Sequence, residues 1–318
     1  MRIVVLDGYT LNPGDNPWTD VERLGALTVY DRTPPNEVIA RAAGAQIILT
    51  NKTPLSAETL AKLPDLRFVS VLATGYNVVD VAAARQREIP VSNVPVYGTD
   101  SVAQFVFALV LELCQHVARH SELVHQGEWA RSRDFCFWTA PLVELAGKQM
   151  GIVGFGRIGR RVGELAHAFG MSVCAHDPYP GAMPSYGPFE WKGIDEVFAL
   201  ADVVSLHSPQ TEENRGMVDA RLLGLMKPEA ILINTARGGL VKEADLAAAL
   251  NSGRIAGAGV DVVSEEPIRP DNPLLGARNC LITPHIAWAT LAARRRLMRT
   301  TADNIAAFIA GSPINLAT

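Results

Sequence analysis

The chain has 318 residues, of which 48% are hydrophobic, and its length favours two domains of roughly 150 residues each. Its 29 Lys and Arg residues against 33 Asp and Glu residues leave a net charge of −4, which argues against nucleic acid or an anionic membrane as a partner. The longest uncharged stretch, residues 279–293, is too short for a membrane span, and the N-terminus is not typical of a signal peptide, so we expect a cytoplasmic protein.

Short β-branched runs alternate with helical stretches through the first hundred residues. The strand-like runs are residues 3–6, 27–30, 47–50 and 68–72. This alternation is typical of a parallel sheet covered by helices. It therefore predicts an α/β domain.

A long apolar segment without Gly or Pro follows, from Asp100 to Cys114. It is apolar on nearly every side, which predicts a helix buried all round. A helix at the edge of a domain is rarely covered on every face by that domain alone. The surplus apolar surface therefore predicts a subunit interface, and with it a homodimer.

A second alternating block begins near Met150. Its predicted strands are residues 150–153, 171–175, 203–206, 231–233, 257–260 and 281–283, and helical stretches such as 157–169 and 244–250 separate them. Six strands in this alternation match a doubly wound dinucleotide-binding sheet. A last helix is predicted over residues 290–309. We expect the arginines of this helix to form a solvated face, and the alternative is a phosphate site. They are Arg294, Arg295, Arg296 and Arg299.

A glycine motif joins the first strand of this block to its helix. It reads Gly154-Phe155-Gly156-Arg157-Ile158-Gly159. In this context Gly154 makes the tight turn, Gly156 lets the backbone approach a pyrophosphate, and Gly159 permits close packing of helix on strand. Unpaired N–H groups at the helix start, which includes Ile158, attract the anion, and the side chain of Arg157 adds a positive charge.

The next strand ends at Asp177, 21 residues beyond Gly156. An acid at this place bonds the ribose hydroxyls of an adenosine and repels a 2′-phosphate. Because no arginine adjoins Asp177, the sequence favours NAD over NADP. The alternative role for Asp177 is a turn cap before Pro178.

Three polar residues, Arg237, Glu266 and His285, each follow a predicted strand of the second block. Ligands in open α/β sheets bind outside the carboxyl ends of the strands, so we expect all three at one site. Arginine offers a planar fork for a carboxylate, histidine transfers protons near neutral pH, and a glutamate can hold the second ring nitrogen of an imidazole. Taken singly, each also has an ordinary explanation as a loop or surface residue.

Asp261 follows a strand in the same way, and it either accepts a hydrogen bond from a nicotinamide amide or stabilises a turn. No metal site is expected. The four cysteines form no CxxC pair, and His116 and His120 have no HExxH motif around them.

Together these motifs resemble the D-isomer-specific 2-hydroxyacid dehydrogenase family. The matching stretches are residues 73–77, 154–159 with 177, 234–238, 261–262 with 265–267, and 284–290. The resemblance implies a flavodoxin-like substrate domain over residues 1–98 and 289–318, a Rossmann NAD-binding domain over residues 99–288, and an active site in the cleft between them. It also implies that family members dimerise.

The resemblance further implies an Arg–Glu–His catalytic set, here Arg237, Glu266 and His285. By the same likeness Thr235 and Ala236 line the nicotinamide and Asp261 meets its amide. It implies too that Arg237 and His285 contact both cofactor and substrate, while backbone N–H groups near Thr74 and Gly75 hold the substrate carboxylate. A glycine suits that last role because a ligand can approach it closely.

Within the family, the aromatic run Phe135-Cys136-Phe137-Trp138 and the pair Ala287-Trp288 look most like glycerate (hydroxypyruvate) dehydrogenases, although core or interface packing is an equal alternative. The expected reaction interconverts a small 2-oxo acid and its D-2-hydroxy acid. Two other functions stay open. One is an NAD(H)-sensing protein like the family's corepressor relatives, and the other is a phosphite or formate dehydrogenase of the same fold.

Overall fold

The structure, a computed structural model, describes residues 1–317. The chain forms two compact units. The first unit is Met1–Gly98 together with the chain from Trp288 onward, and the second unit is Thr99–Ala287. Each unit is built on one parallel sheet.

The sheet of the first unit has five parallel strands in the order β2-β1-β3-β4-β5. The strands are β1 (Arg2–Val5), β2 (Ala26–Val29), β3 (Ile47–Thr50), β4 (Phe68–Val71) and β5 (Val91–Ser92). This is the flavodoxin-like order, so the predicted fold is confirmed. The sequence does not predict β5, because a run of two residues is too short to show a period. The helices before the second unit are α1 (Thr19–Glu22), α2 (Val38–Ala42), α3 (Ala57–Ala61) and α4 (Val81–Gln86).

Alternation along these strands divides the core of the first unit into two layers. Val4 and Ile48 point into one hydrophobic cluster, while their neighbours Ile3 and Ile47 point into the other. All four are fully buried. A parallel sheet covered on both faces requires this pattern, and it leaves the loops at the strand ends as the accessible part of the unit.

The sheet of the second unit has seven parallel strands in the order β12-β11-β10-β9-β6-β7-β8. They are β6 (Gln149–Val153), β7 (Ser172–His176), β8 (Phe189–Trp191), β9 (Val203–Leu206), β10 (Ile231–Asn234), β11 (Gly257–Val260) and β12 (Cys280–Ile282). Renumbered from β6, the order is that of the Rossmann fold with a seventh strand beyond it. The predicted count of six is wrong, because β8 is a strand of three residues.

The helices of the second unit cover both faces of this sheet. They are α5 (Thr99–Gln115), α6 (Val117–His125), α7 (Arg157–Ala168), α8 (Ile194–Leu200), α9 (Ala220–Leu225) and α10 (Glu243–Asn251). The prediction that α5 is buried all round is wrong on one stripe, where Gln104 and Ala108 are exposed. Its other faces pack on α7 and on the sheet. Within residues 1–317 no single helix could cross a membrane by length and hydropathy, and α5 with α6 passes only as a pair bent by 55°.

The last helix, α11 (Leu291–Ile309), returns the chain to the first unit. Here the predicted solvated arginine face is wrong for Arg294, which is only 7% exposed. Its Nη2 donates to Asp15 Oδ2 at 2.7 Å and its Nε to the Ala289 carbonyl at 3.0 Å. The hydrogen bond from Arg294 lowers the pKa of Asp15, which keeps that carboxylate charged. Helix periodicity alone cannot reveal a partner in a loop 279 residues away in sequence.

Candidate active site

The polar residues singled out in the sequence lie at the carboxyl ends of the strands of the second unit. In chain order they follow β6, β7, β10, β11 and β12: the glycine motif, Asp177, Thr235-Ala236-Arg237, Asp261 with Glu266 beyond it, and His285. Because these strands are parallel and adjacent, their loops share one edge of the sheet. The edge is where a ligand is expected.

The glycine loop is shaped by two close contacts and one open position. Gly154 has φ +92°, and a Cβ there would lie 2.5 Å from the Ser208 nitrogen. A Cβ on Gly159 would lie 2.2 Å from the Gly154 carbonyl oxygen. At Gly156, in contrast, a Cβ would meet nothing within 4 Å. Packing within the protein therefore does not require a glycine at 156. A ligand that approaches the backbone there does require one, because a side chain would stand in its way.

Helix α7 begins directly after Gly156 and has no side-chain cap at its N-terminus. Arg157 is exposed beside that terminus, and Ile158 is half-buried. The N–H groups of a first helical turn have no intrahelical acceptors, so an uncapped start attracts an anion. The loop thus has the features of a pyrophosphate site.

Asp177 ties the end of β7 to the glycine loop. Its Oδ2 accepts a hydrogen bond from the Phe155 N–H at 2.9 Å, and its Oδ1 accepts one from the Tyr179 N–H at 3.0 Å. The turn-cap alternative therefore describes a real contact. A carboxylate has about four acceptor positions. These two bonds leave capacity for hydroxyl groups of a ligand.

His207 also contacts this region and was missed in the sequence, although it follows β9 just as the chosen residues follow their strands. Its N–H donates to the Val153 carbonyl at 2.7 Å, and its ring Nε2 lies 2.8 Å from Ser205 Oγ. Burial lowers the pKa of His207 to about 3. The ring is therefore neutral at physiological pH and adds no positive charge at this edge of the sheet.

The loop after β10 is held by Asn234, which is 1% exposed. Its Oδ1 accepts from the Ala236 N–H at 3.0 Å and its Nδ2 donates to the Arg237 carbonyl at 2.9 Å. Arg237 itself is exposed, and its Nη1 donates to the Ala236 carbonyl at 2.7 Å. Thr235 is buried, and its Oγ1 has no hydrogen-bond partner within residues 1–317. Such a buried polar atom is costly unless a ligand satisfies it.

The next residue, Gly238, presses this loop against the segment that leads to Glu266. A Cβ at 238 would lie 1.9 Å from the Val263 carbonyl carbon and 2.4 Å from the Ser264 nitrogen. Only a residue without a side chain permits this approach. The arginine loop and the glutamate loop are thus fixed against each other within the second unit.

Glu266 and His285 meet side chain to side chain. Glu266 Oε2 lies 2.7 Å from His285 Nδ1, and its Oε1 accepts a longer bond of 3.4 Å from the Val263 N–H. The two side chains are 34% and 29% exposed, respectively, so a small solute can reach the pair. A carboxylate at this distance fixes the orientation of the ring.

The loop that carries His285 is built around Asp261, which is 1% exposed. Its carboxylate accepts from the Thr283 hydroxyl at 2.6 Å, the Ile286 N–H at 2.9 Å and the Ala287 N–H at 2.8 Å. Its main-chain carbonyl accepts the His285 N–H at 2.8 Å. His285 has φ +55°, a strained conformation that persists only where surrounding contacts impose it. Of the two roles open for Asp261, the structure shows the turn-stabilising one.

Thr74 and Gly75 lie in the first unit, in the loop after β4. They too are at the carboxyl edge of a parallel sheet. Among residues 1–317, no group of three His, Cys, Asp or Glu side chains is arranged to hold a metal ion.

The second unit therefore fits a dinucleotide on structural grounds. Along its edge, Asp177 follows β7, the open backbone at Gly156 and the uncapped start of α7 follow the neighbouring β6, and the unsatisfied Thr235 Oγ1 follows β10. Each corresponds to a part that a dinucleotide possesses: a pyrophosphate, a ribose and a hydrogen-bonding amide.

Comparison with known proteins gives consistent matches over the whole chain. The model of the family described as D-isomer specific 2-hydroxyacid dehydrogenase, NAD binding domain, matches residues 107–287. The chain is 51% identical to a hydroxypyruvate reductase of Blautia hydrogenotrophica over 99% of both chains, and 40% identical to a glycerate dehydrogenase of Methylorubrum extorquens over 90% of both. The crystal structure of the TT0316 protein from Thermus thermophilus superposes with a TM-score of 0.88 at 32% identity and covers 100% of both chains.

We predict that Gly156→Ala separates dinucleotide binding from folding. The added methyl group meets no protein atom, so the urea midpoint should stay unchanged, whereas the Kd for NADH should rise at least about tenfold because the pyrophosphate loses its close approach. Fluorescence titration and urea unfolding measure the two effects. Gly224→Ala, also with open space around its Cβ but on helix α9, is the control and should bind NADH normally. Normal NADH affinity in Gly156→Ala would contradict the assignment.

Proposed function

The chain belongs to the D-isomer-specific 2-hydroxyacid dehydrogenase family, and from this premise we propose that it reduces a small 2-oxo acid of the hydroxypyruvate or glyoxylate kind to its D-2-hydroxy acid with NADH. The observation that carries the proposal is the 2.7 Å contact between Glu266 and His285 at the edge of a Rossmann sheet. The names of the relatives, hydroxypyruvate reductase and glycerate dehydrogenase, support the same substrate class.

The cofactor is NAD(H), and it is held along the edge of the second unit. Gly154, Gly156 and Gly159 with the N-terminus of α7 take the pyrophosphate, joined by the residues Arg157 and Ile158. Asp177 takes the adenosine ribose, and its charge disfavours a 2′-phosphate. Thr235 and Ala236 line the nicotinamide, where the hydroxyl of Thr235 gains a partner. When bound, NADH supplies the hydride that reduces C2 of the substrate.

His285 donates the proton that the reduced carbonyl oxygen requires. Because Nδ1 is engaged by Glu266, Nε2 is the ring nitrogen that faces this task. In the reverse direction the same nitrogen accepts the proton from the hydroxyl group. The carboxylate of Glu266 holds the ring in one orientation throughout the transfer.

Arg237 binds the substrate carboxylate and polarises the neighbouring carbonyl. Its guanidinium is exposed, while Asn234 fixes the backbone on which it stands. Asp261 keeps the His285 loop in place, and its remaining acceptor capacity suits the nicotinamide amide. By the family resemblance, we propose that the N–H groups of Thr74 and Gly75 in the first unit bind a substrate carboxylate.

The two alternative functions are not favoured. A protein that only senses NAD(H) does not need a Glu–His pair reachable by solute, and this chain has one. The relatives reported above carry neither of these names.

A homodimer is part of the proposal, and the segment that supports it is residues 117–143. Apolar side chains stand exposed along it: Val117, Trp129, Phe135, Trp138 and Leu142. Phe135 is 89% exposed and Trp138 65% exposed, so these two side chains do not pack in the core of their unit. Clusters of exposed aromatics mark interaction surfaces, and we infer that a second copy of the chain covers this one. The helix from which the sequence predicts a dimer, α5, is instead packed on α7 and the sheet. The cytoplasmic location stays a prediction.

We predict that the wild-type protein has the mass of two chains in light scattering. The double variant with Phe135→Ser and Trp138→Ser should have the mass of one chain, because the largest exposed apolar groups of the segment are gone. Leu275→Ser, at a 54% exposed site outside the segment, should stay dimeric. A monomeric wild-type protein, or a double variant that still dimerises, would refute the interface.

The proposed reaction predicts that the purified protein oxidises NADH in the presence of hydroxypyruvate or glyoxylate. His285→Ala should lower kcat by about 100-fold or more, the contribution of a positioned general acid, while the Kd for NADH changes little. Stopped-flow absorbance and NADH fluorescence measure the two quantities. Silence of the wild-type protein across a panel of 2-oxo acids would sink the proposed function, and near-normal turnover of His285→Ala would sink the role of the imidazole.

A further inference from the structure

The loop after β4 presents two consecutive backbone N–H groups without partners. Within residues 1–317, the amide N–H groups of Thr74 and Gly75 donate to no acceptor. The carbonyls that precede them are both bonded, however. The Ala73 carbonyl accepts from the Val94 N–H at 3.0 Å, and the Thr74 carbonyl accepts from Asn93 Nδ2 at 2.7 Å.

These two bonds determine where the free N–H groups point. A peptide unit is planar and trans, so its C=O and its N–H point in opposite directions. A bond that fixes the Ala73 carbonyl therefore also fixes the direction of the Thr74 N–H. In the same way, the bond from Asn93 to the Thr74 carbonyl fixes the direction of the Gly75 N–H.

The second of these anchors matters most, because it acts on a glycine. Gly75 has no Cβ to restrict its backbone, and without an anchor the peptide between 74 and 75 could rotate at little cost. The first anchor comes from the main chain, and the Thr74 hydroxyl adds to it by donating to the Val94 carbonyl at 2.9 Å. The side-chain amide of Asn93 is what holds the Gly75 N–H.

Asn93 is itself held by a closed ring of hydrogen bonds. Its N–H donates to the Asn315 carbonyl at 3.0 Å, Asn315 Nδ2 donates to Asn304 Oδ1 at 2.7 Å, and Asn304 Nδ2 donates back to the Asn93 carbonyl at 2.9 Å. Asn304 is fully buried on α11. The ring uses only the backbone of Asn93, which leaves its side chain for Thr74.

We propose that Asn93 is a positioning residue that aims the Thr74–Gly75 amides at the carboxylate of the 2-oxo acid, with Asn304 and Asn315 holding it in place. This rests on the proposed function and adds to it a residue that touches neither substrate nor cofactor. Two consecutive N–H donors whose preceding carbonyls are both anchored are the kind of group that binds an anion. The direction of the Gly75 N–H depends on the hydrogen bond that Asn93 Nδ2 donates to the Thr74 carbonyl, at the opposite side of the same peptide unit.

Asn93→Ala tests the proposal, because it removes only the bond to Thr74 and keeps the ring of backbone contacts. Without this bond the Gly75 N–H is no longer held toward the substrate carboxylate. We therefore expect KM for hydroxypyruvate to rise about tenfold, as when one hydrogen bond to a charged group is lost, and kcat to change by less than about twofold. Asn93→Asp has the same size but no donor, and it should raise KM at least as much. Asn16→Ala is the matched control: it loses a bond of the same kind, from Nδ2 to the Leu11 carbonyl, and should leave KM unchanged.

A second measurement does not depend on turnover. In protein labelled with ¹⁵N-glycine, oxamate added with NADH should shift the Gly75 amide resonance of the wild type, and it should do so at about tenfold higher concentration in Asn93→Ala. A KM and an oxamate response in both Asn93 variants within about twofold of the wild type would overturn the positioning role while leaving the enzyme intact. A wild-type protein that neither reduces a 2-oxo acid nor responds to oxamate would overturn both proposals.

Discussion

The hydrogen bond between Glu266 and His285 is the contact on which the rest of this account depends. At 2.7 Å it engages Nδ1 of the imidazole, which makes Nε2 the proton donor in the proposed reaction. The contact exists because two loops are held by other groups. Asp261 gathers the backbone around His285 with three hydrogen bonds from its carboxylate, and Gly238 allows the arginine loop to pack on the chain that leads to Glu266.

One device recurs at the strand ends of both units. A polar residue near the end of a strand hydrogen-bonds the backbone of a loop. This bond positions the functional group that the loop carries. Asn234 does this for Arg237, Asp261 for His285, and Asn93 for Gly75. Each parallel sheet brings its loops to one of its own edges, and the buried or half-buried polar residues then give each loop a single shape. Precise placement of functional groups thus rests on residues that do not themselves react.

Much of this could be predicted from sequence, because it depends on local patterns. The strand–glycine–helix motif and the alternation of strands and helices predict the Rossmann sheet and its ligand edge. Contacts between distant segments were not predictable: Arg294 looks like a surface residue until Asp15 is seen beside it, and strand β8 is too short to show a period. Asn93 and His207 were overlooked for a related reason. Asn93 bonds the Thr74 carbonyl and His207 bonds the Val153 carbonyl, and a bond to the backbone of a distant segment has no sequence signature.

The kcat/KM for hydroxypyruvate in Glu266→Gln tests the central contact most directly. Glutamine keeps the size of the side chain, but it puts a neutral amide in place of the carboxylate that contacts His285 Nδ1. The account predicts that kcat/KM at neutral pH falls by about 10-fold or more, as expected when a hydrogen bond to a charged group is lost. A Glu266→Gln enzyme with the wild-type kcat/KM would contradict it.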